Sequence, residues 1–294
     1  MALGNFDGVH LGHQAVLSAA VEAAKRLSGD AVAFTFEPHP AKVLAPGQAP
    51  PMITNRDRKL ELIGEAGVEV CVVEPFTREL AELSPSAFVE QILVSILGAH
   101  HVTVGYDFSF GKARAGTVDL LRELGAERGF DVQVLEPVTV DGVVASSTRI
   151  RSCVTEGDMA GARRLLGRDF DVDGVVVRGA QRGRDIGVPT ANIATETELL
   201  PAPGIYAGRV ELLGQSEWLD AAISRGTNPT FVDSDELSLE AHILDFDRDI
   251  YGRRVRVSFA QMLRGERRFD GVDALVAQIQ IDIARTREIL RHGK

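Results

Sequence analysis

The sequence predicts an α/β doubly wound parallel sheet over residues 1–155, a linker helix over 156–169, and a small antiparallel β-barrel with a terminal helix over 170–294. Three observations carry this. Apolar runs alternate with helical patterns in the first half, short β-rich runs separated by Gly, Asn, Asp and Pro fill the second, and the chain closes on one long amphipathic stretch.

In order, "AVAFTFE" (31–37), "VEVCVV" (68–73), "HVTVGYD" (101–107) and "VQVLEPV" (132–138) read as buried strands. Between them, "HQAVLSAAVEAAKRL" (13–27), "RDRKLELIGEAG" (56–67), "SPSAFVEQILVSILG" (84–98) and "TVDLLRELGAERG" (117–129) carry apolar residues at helical spacing. Ser84 before Pro85 pairs a cap with a first-turn proline. Strands joined by crossover helices must run parallel, and such sheets bind ligands at the carboxyl ends of their strands. "TEGDMAGARRLLGRDF" (155–170) reads as a short helix at the domain boundary. Then "DVDGVVVRG", "GIYAGRVELLG", "EWLDAAISRG", "LSLEAHILDFD" and "RRVRVSFAQML" read as barrel strands, and 271–292 as a helix with one apolar face.

Composition narrows the function classes. The 294 residues are 45% hydrophobic and carry a net charge of −10, with the acidity shared by both halves. A non-specific nucleic-acid binder would show a basic balance or stripe, so no nucleic acid is expected as a partner. No stretch approaches the roughly 18–20 apolar residues of a membrane span and no secretory pattern opens the chain, so no membrane is expected and the expected compartment is the cytoplasm. The two cysteines, Cys71 and Cys153, have no metal-binding spacing.

"GNFDGVHLGH" (4–13) is the first stretch with chemistry in it. Its glycines permit tight turns and close backbone approach, and the helical pattern starts at about residue 11. A helix N-terminus attracts phosphate through unpaired N–H groups and a partial positive charge. His10 and His13 could donate to phosphate oxygens there. Two other readings stay open: half of a metal site completed by Asp7 or His39, or ordinary loop histidines.

A second stretch, "VVVRGAQRGRDIGVPTANI" (175–193), sets glycines and arginines before "PTAN". Such a loop can wrap phosphate with backbone N–H groups; a hairpin with solvated arginines is the bland alternative. The hydroxyl of Thr190 and the amide of Asn192 face the same way if the segment is extended, and could share a metal–phosphate site. Glu240, in "LSLEAHILDFD", reads in isolation as one acidic residue on a solvated strand face.

"FDGVHLGH" resembles the histidine–glycine–histidine signature of the nucleotidylyltransferases. Together with "FTFEPHP" (34–40), "VGYDFSFGKARAG" (104–116) and "SSTRIR" (146–151), it resembles the N-terminal module of the prokaryotic bifunctional riboflavin kinase / FAD synthetase family. "GRDIGVPTAN", "PGIYAG" (203–208), "GTNPTF" (226–231), "LEAHILDFDRDIYG" (239–252) and "LRGERRFDGVDALVAQIQID" (263–282) resemble its kinase module. The resemblance implies a Rossmann-like adenylyltransferase domain making FAD from FMN and ATP, and a six-stranded barrel making FMN from riboflavin and ATP, both with Mg²⁺. It assigns His10 and His13 to the ATP phosphates and Gly4, Asn5, Phe6, Asp7 and Gly8 to the ATP loop. Ser147, Thr148 and Arg151 would close over the phosphates, although a plain helix cap explains "SSTRIR" equally well in isolation. Asp107 and Phe108 would lie on the flavin side, with Pro38, His39 and Pro40 shaping a loop beside it. In the kinase, Thr190 and Asn192 would hold Mg²⁺ and ATP phosphates, Gly179, Gly183 and Gly187 would shape the flap, and Glu240 would be the base. His242 is expected to be structural. Partners would be small molecules, with a transient homo-oligomer allowed.

The chain departs from the family at two places. Only "MAL" precedes Gly4, which is too short for a core strand of about 5–6 residues, so the first strand is expected to be missing and the record truncated. Val188, Asp185 and Ile186 replace bulkier or more usual residues around "PTAN". Three rivals follow: a kinase alone, a nucleotidylyltransferase with another substrate, and a flavin-binding protein without turnover.

Overall fold

The computed structural model describes residues 1–179, 187–215, 217–227 and 237–292. Contacts divide the chain into two units, one of Met1–Met52 with Arg56–Ser147, the other of Ile53–Asn55 with Thr148–Lys294.

In the first unit the elements run β1 (Ala2–Leu3), α1 (Leu11–Leu27), β2 (Val32–Glu37), α2 (Pro40–Leu44), α3 (Arg56–Glu65), β3 (Val70–Pro75), α4 (Arg78–Ala81), α5 (Pro85–Phe88), β4 (His101–Gly105), α6 (Val118–Arg128) and β5 (Asp131–Leu135), then a hairpin of β6 (Thr139–Val140) and β7 (Val143–Val144). Ser84 caps α5 by accepting from the Ala87 N–H, as the Ser–Pro pair predicts, and the chain continues as a π-helix over Val89–Ile96. The five strands lie in the order β3-β2-β1-β4-β5, all parallel.

The order corrects the expectation of a missing first strand. Ala2 and Leu3 occupy the central position, with Ala2 opposite both Ala33 and Thr103. The rungs continue beyond these two residues: the Thr103 N–H donates to Met1 O at 2.8 Å and the Gly4 N–H to Phe34 O at 3.2 Å. Neither neighbouring strand is left with a bare edge there. Leu3 packs on one side of the sheet with Phe34, Phe88, Leu93, Val104 and Leu121, while Ala2 packs on the other with Phe6, Val9, Leu17 and Ile63.

The second unit opens with α7 (Ser147–Glu156) and α8 (Met159–Leu166). Where the sequence suggested one helix over 155–170, there are two, separated at Gly157 with its φ of +79° and restarted by Asp158, whose carboxylate caps α8 at the Gly161 N–H. Six strands follow, β8 (Phe170–Val177), β9 (Ala191–Ala194), β10 (Gly204–Leu212), β11 (Trp218–Thr227), β12 (Leu237–Ile243) and β13 (Arg254–Arg264), and then α9 (Val272–His292). They close as an antiparallel barrel in the order β10-β11-β12-β9-β8-β13. Five were legible as β-rich runs. The sixth, β9, is the tail of "PTANI", short and without alternation of its own.

The barrel interior stacks Phe170, Tyr206 and Phe259, each no more than 1% exposed. On the opposite face of the same strands lies a row of charge, since Arg256 alternates with the core residues Val255 and Val257 and stands opposite Asp173 and Glu211. Arg256 donates through Nε to Asp173 Oδ1 at 2.7 Å and through Nη2 to Oδ2 at 3.1 Å, with Glu211 at 3.7 Å on the other side. Asp173 and Arg256 are 7% and 5% exposed. Removing one member strands the other, so Asp173→Ala is expected to destabilise the barrel by about 3–5 kcal/mol, read as a lower denaturant midpoint of unfolding.

Candidate functional sites

The first site forms where the strand order reverses, between β1 and β4, the place at which open α/β sheets bind ligands. The chain leaves β1 and turns through residues 4–10 before α1. Phe6 and Val9 adopt φ of +51° and +40°, and Gly8 +83°. A left-handed β-branched valine is strained, and the loop is held by several bonds: Val9 N–H to Phe6 O at 3.2 Å, Gln14 Nε2 to Val9 O at 2.9 Å, and Thr35 Oγ1 to Asn5 O at 3.1 Å.

His10 caps α1: its Nδ1 accepts from the His13 N–H at 3.3 Å. In the neutral ring that bond leaves the proton on Nε2, making His10 an N–H donor at the helix N-terminus. The two imidazoles stack at 3.6 Å, and Phe6 meets His13 edge-on at 5.4 Å. The Nδ1 of His13 is buried without a partner among the described residues. Burial, and then the charge of His10, hold His13 well below the ordinary imidazole value of 6.5. The unfolded chain takes up the proton first, so this contribution to stability is present above about pH 6.5 and is lost as pH falls below it. Unfolding midpoints of the chain measured from pH 8 to 5 should fall below pH 6.5, and His13→Phe should flatten that dependence.

Gly12 has a structural reason: a Cβ there would stand 3.1 Å from the His10 ring and 3.4 Å from Ala145 O. Among the described residues no group of three or more His, Cys, Asp or Glu could hold a metal ion. His39 is occupied otherwise, accepting from the Ala41 N–H at 3.2 Å as the cap of α2.

The remaining expected residues divide. Asp7 is buried, and its carbonyl accepts from Ser147 Oγ at 2.9 Å, so Ser147 fastens the loop that leads into α1. Gly4 and Asn5 lie at the loop's start beside Phe34 and Thr35. Asp107 is exposed in the turn after β4, while Phe108 is half-buried and stacks on Phe110 at 5.7 Å. Thr148 and Arg151 lie further along α7, grouped with the second unit.

The second site lies on the barrel wall. Glu240 on β12 pairs with Asn192 on β9 and with Ser224 on β11, so their side chains share one face. Thr190 Oγ1 donates to Glu240 Oε2 at 3.2 Å. Thr190 and Glu240, fifty positions apart in the chain, thus meet, with Asn192 opposite Glu240. His242 stands two places along, its Nδ1 2.8 Å from Pro189 O, which ties the "PTAN" segment down. Gly179 is required sterically, since a Cβ there would run into the carboxamide of Asn192. Gly179→Ala is expected to push that carboxamide aside and lower turnover at this site about tenfold or more, measured as initial rates with the melting curve as control. Gly187 takes φ of +76° in open space. Gly183, Asp185 and Ile186 lie outside the described residues. The sequence did not point to Thr35 or Gln14, whose role is to bond backbone; neither belongs to a pattern that marks chemistry.

A parallel sheet with a histidine pair at its switch point, followed by a β-barrel with a hydroxyl–amide–carboxylate face, defines a two-module nucleotide-handling enzyme class. Residues 1–149 match the family model for FAD synthetase, and 166–290 that for riboflavin kinase. The chain is 40% identical over 289 residues to a bifunctional riboflavin kinase/FMN adenylyltransferase of Listeria monocytogenes, covering 98% of this chain and 91% of that protein. It is 38% identical to the protein of the same name from Escherichia coli K12, again with 98% and 91% coverage. A crystal structure described as a macrolide-efflux protein from Streptococcus pneumoniae is similar at a TM-score of 0.87 and 32% identity, covering 97% of this chain and 93% of that one. The chain belongs to the bifunctional riboflavin kinase/FMN adenylyltransferase family.

Proposed function

We propose that this chain phosphorylates riboflavin to FMN and adenylylates FMN to FAD, each with ATP. The observation that carries the reading is that each unit gathers its own motif residues: His10 and His13 at the start of α1, and Thr190, Asn192 and Glu240 on the barrel wall. The FAD synthetase match over 1–149 favours two activities over a kinase alone.

In adenylyl transfer, an FMN phosphate oxygen attacks the α-phosphorus of ATP and pyrophosphate leaves. No enzyme nucleophile is needed, so the protein's work is positioning and charge stabilisation. The Nε2–H of His10 and the N-terminal N–H groups of α1 would meet the phosphates, with 4–8 as the loop around them. Neutral His13 would support His10 by stacking. Asp107 and Phe108 are assigned to the FMN side, and Ser147, Thr148 and Arg151 to the phosphates.

In phosphoryl transfer, Glu240 would accept the proton of the ribityl 5′-hydroxyl as that oxygen attacks the γ-phosphorus. The Thr190 hydroxyl and Asn192 carbonyl, hard oxygen donors beside a carboxylate, fit Mg²⁺. Bound there, the ion would neutralise phosphate charge. Gly179, Gly183 and Gly187 would shape the flap over the nucleotide.

No helix among the described residues is long and apolar enough to cross a membrane; a cytoplasmic location and a transient homo-oligomer remain part of this reading. Purified protein supplied with riboflavin, ATP and Mg²⁺ should yield FMN and then FAD by chromatography. Absence of both products would overturn the proposal; FMN without FAD, even from added FMN, would establish the kinase-only rival.

A further inference from the structure

We propose that Lys59 is a positioning residue for adenylyl transfer, the counter-charge that allows Glu37 to stand at the phosphate-facing edge of the sheet. The inference rests on the adenylyltransferase reading of the first unit. Lys59 projects from α3 and is only 6% exposed, unusual for a lysine. Its ammonium donates to Phe36 O at 3.2 Å and lies 3.6 Å from Glu37 Oε2.

Phe36 and Glu37 are the last two residues of β2, at the carboxyl end of the sheet. The strand's preceding residues already hold the nucleotide loop: Phe34 O accepts from Gly4 N–H, and Thr35 Oγ1 donates to Asn5 O. Directly after Glu37 come the cis peptide to Pro38 and the His39 cap of α2. One buried ammonium therefore grips the strand end between the phosphate loop and the "EPHP" turn. The side chain of Glu37 is 39% exposed. An uncompensated carboxylate at that edge would repel an entering triphosphate, whereas Lys59 neutralises it from beneath. An apolar residue would fill the same space without a buried charge to desolvate; the lysine makes sense as a partner for that carboxylate.

The test uses the full chain, whose second unit supplies an internal control. Wild type is first shown to form FAD from FMN and ATP; failure there sinks the functional reading and not this inference in particular. Lys59→Met should raise the KM for ATP in FAD formation about tenfold, with a smaller change in kcat and riboflavin phosphorylation within twofold of wild type. Lys59→Arg should keep most of the ATP affinity. Glu37→Gln alone should not raise the KM for ATP, and Lys59→Met combined with Glu37→Gln should recover most of the loss. A single variant with unchanged KM, or a double variant no better than the single one, would overturn the proposal. If Lys59→Met loses FAD formation entirely, the double variant still decides: recovery supports charge compensation, and continued loss assigns Lys59 to packing alone.

Discussion

Glu240→Gln is expected to lower riboflavin phosphorylation by about 10²–10⁴-fold, the usual contribution of a positioned general base, while FAD formation from supplied FMN stays at the wild-type rate. The substitution is close to isosteric. The Gln carbonyl can still accept from Thr190 Oγ1, which now bonds Glu240 Oε2 at 3.2 Å, and the pairing of β12 with β9 and β11 runs through backbone. The fold and the Thr190 contact are thus kept, and the substitution removes the capacity to take a proton. The loss should fall on kcat, with the KM for ATP moved little. Initial rates of FMN formation at saturating ATP measure it. Retention of more than a third of the wild-type kcat would remove Glu240 from the base role and leave it as an anchor for Thr190.

His10→Ala is expected to cut FAD formation by about 10²–10³-fold, the scale of losing one donor aimed at developing negative charge. The same change removes the acceptor for the His13 N–H, a helix cap worth about 1 kcal/mol. His10→Asn separates the two effects. Asparagine is a good N-cap, so α1 should keep its stability, but it does not carry an imidazole N–H to the same place. Both variants should lose FAD formation to a similar extent, with only the alanine one melting lower and both keeping kinase activity. Full FAD formation by the asparagine variant would show that His10 serves the helix and not the phosphates.

The family was legible because its chemistry is concentrated in short stretches with strict internal spacing. His10 and His13 are three residues apart, so one helix start brings them together without help from the rest of the chain. The parallel sheet was equally legible, since buried strands are continuous apolar runs and the intervening helices repeat at about 3.6 residues. The strand boundaries found, Val32–Glu37 and His101–Gly105 among them, lie within a few residues of those expected.

The first strand was misjudged for a physical reason. Length arguments count residues inside a strand, whereas a central position is secured by rungs. Those rungs include Met1 O and Gly4 N–H, on either side of the two residues that make the strand. Similarly, β9 escaped notice because four residues give too few repeats to show a period, and its pairing with β12 and β8 is long-range.

From the order of residues alone came the two-module plan, the motif stretches that hold the proposed site residues and the histidine-bearing loop at the start of α1, because each depends on contacts within a few positions. Tertiary structure decided what crosses the chain: that Thr190 reaches Glu240, that Ser147 fastens Asp7, that burial lowers the His13 pKa, and that Lys59 lies against the end of β2. Burial and through-space charge depend on which distant segments close over a group, and neither is encoded by local spacing.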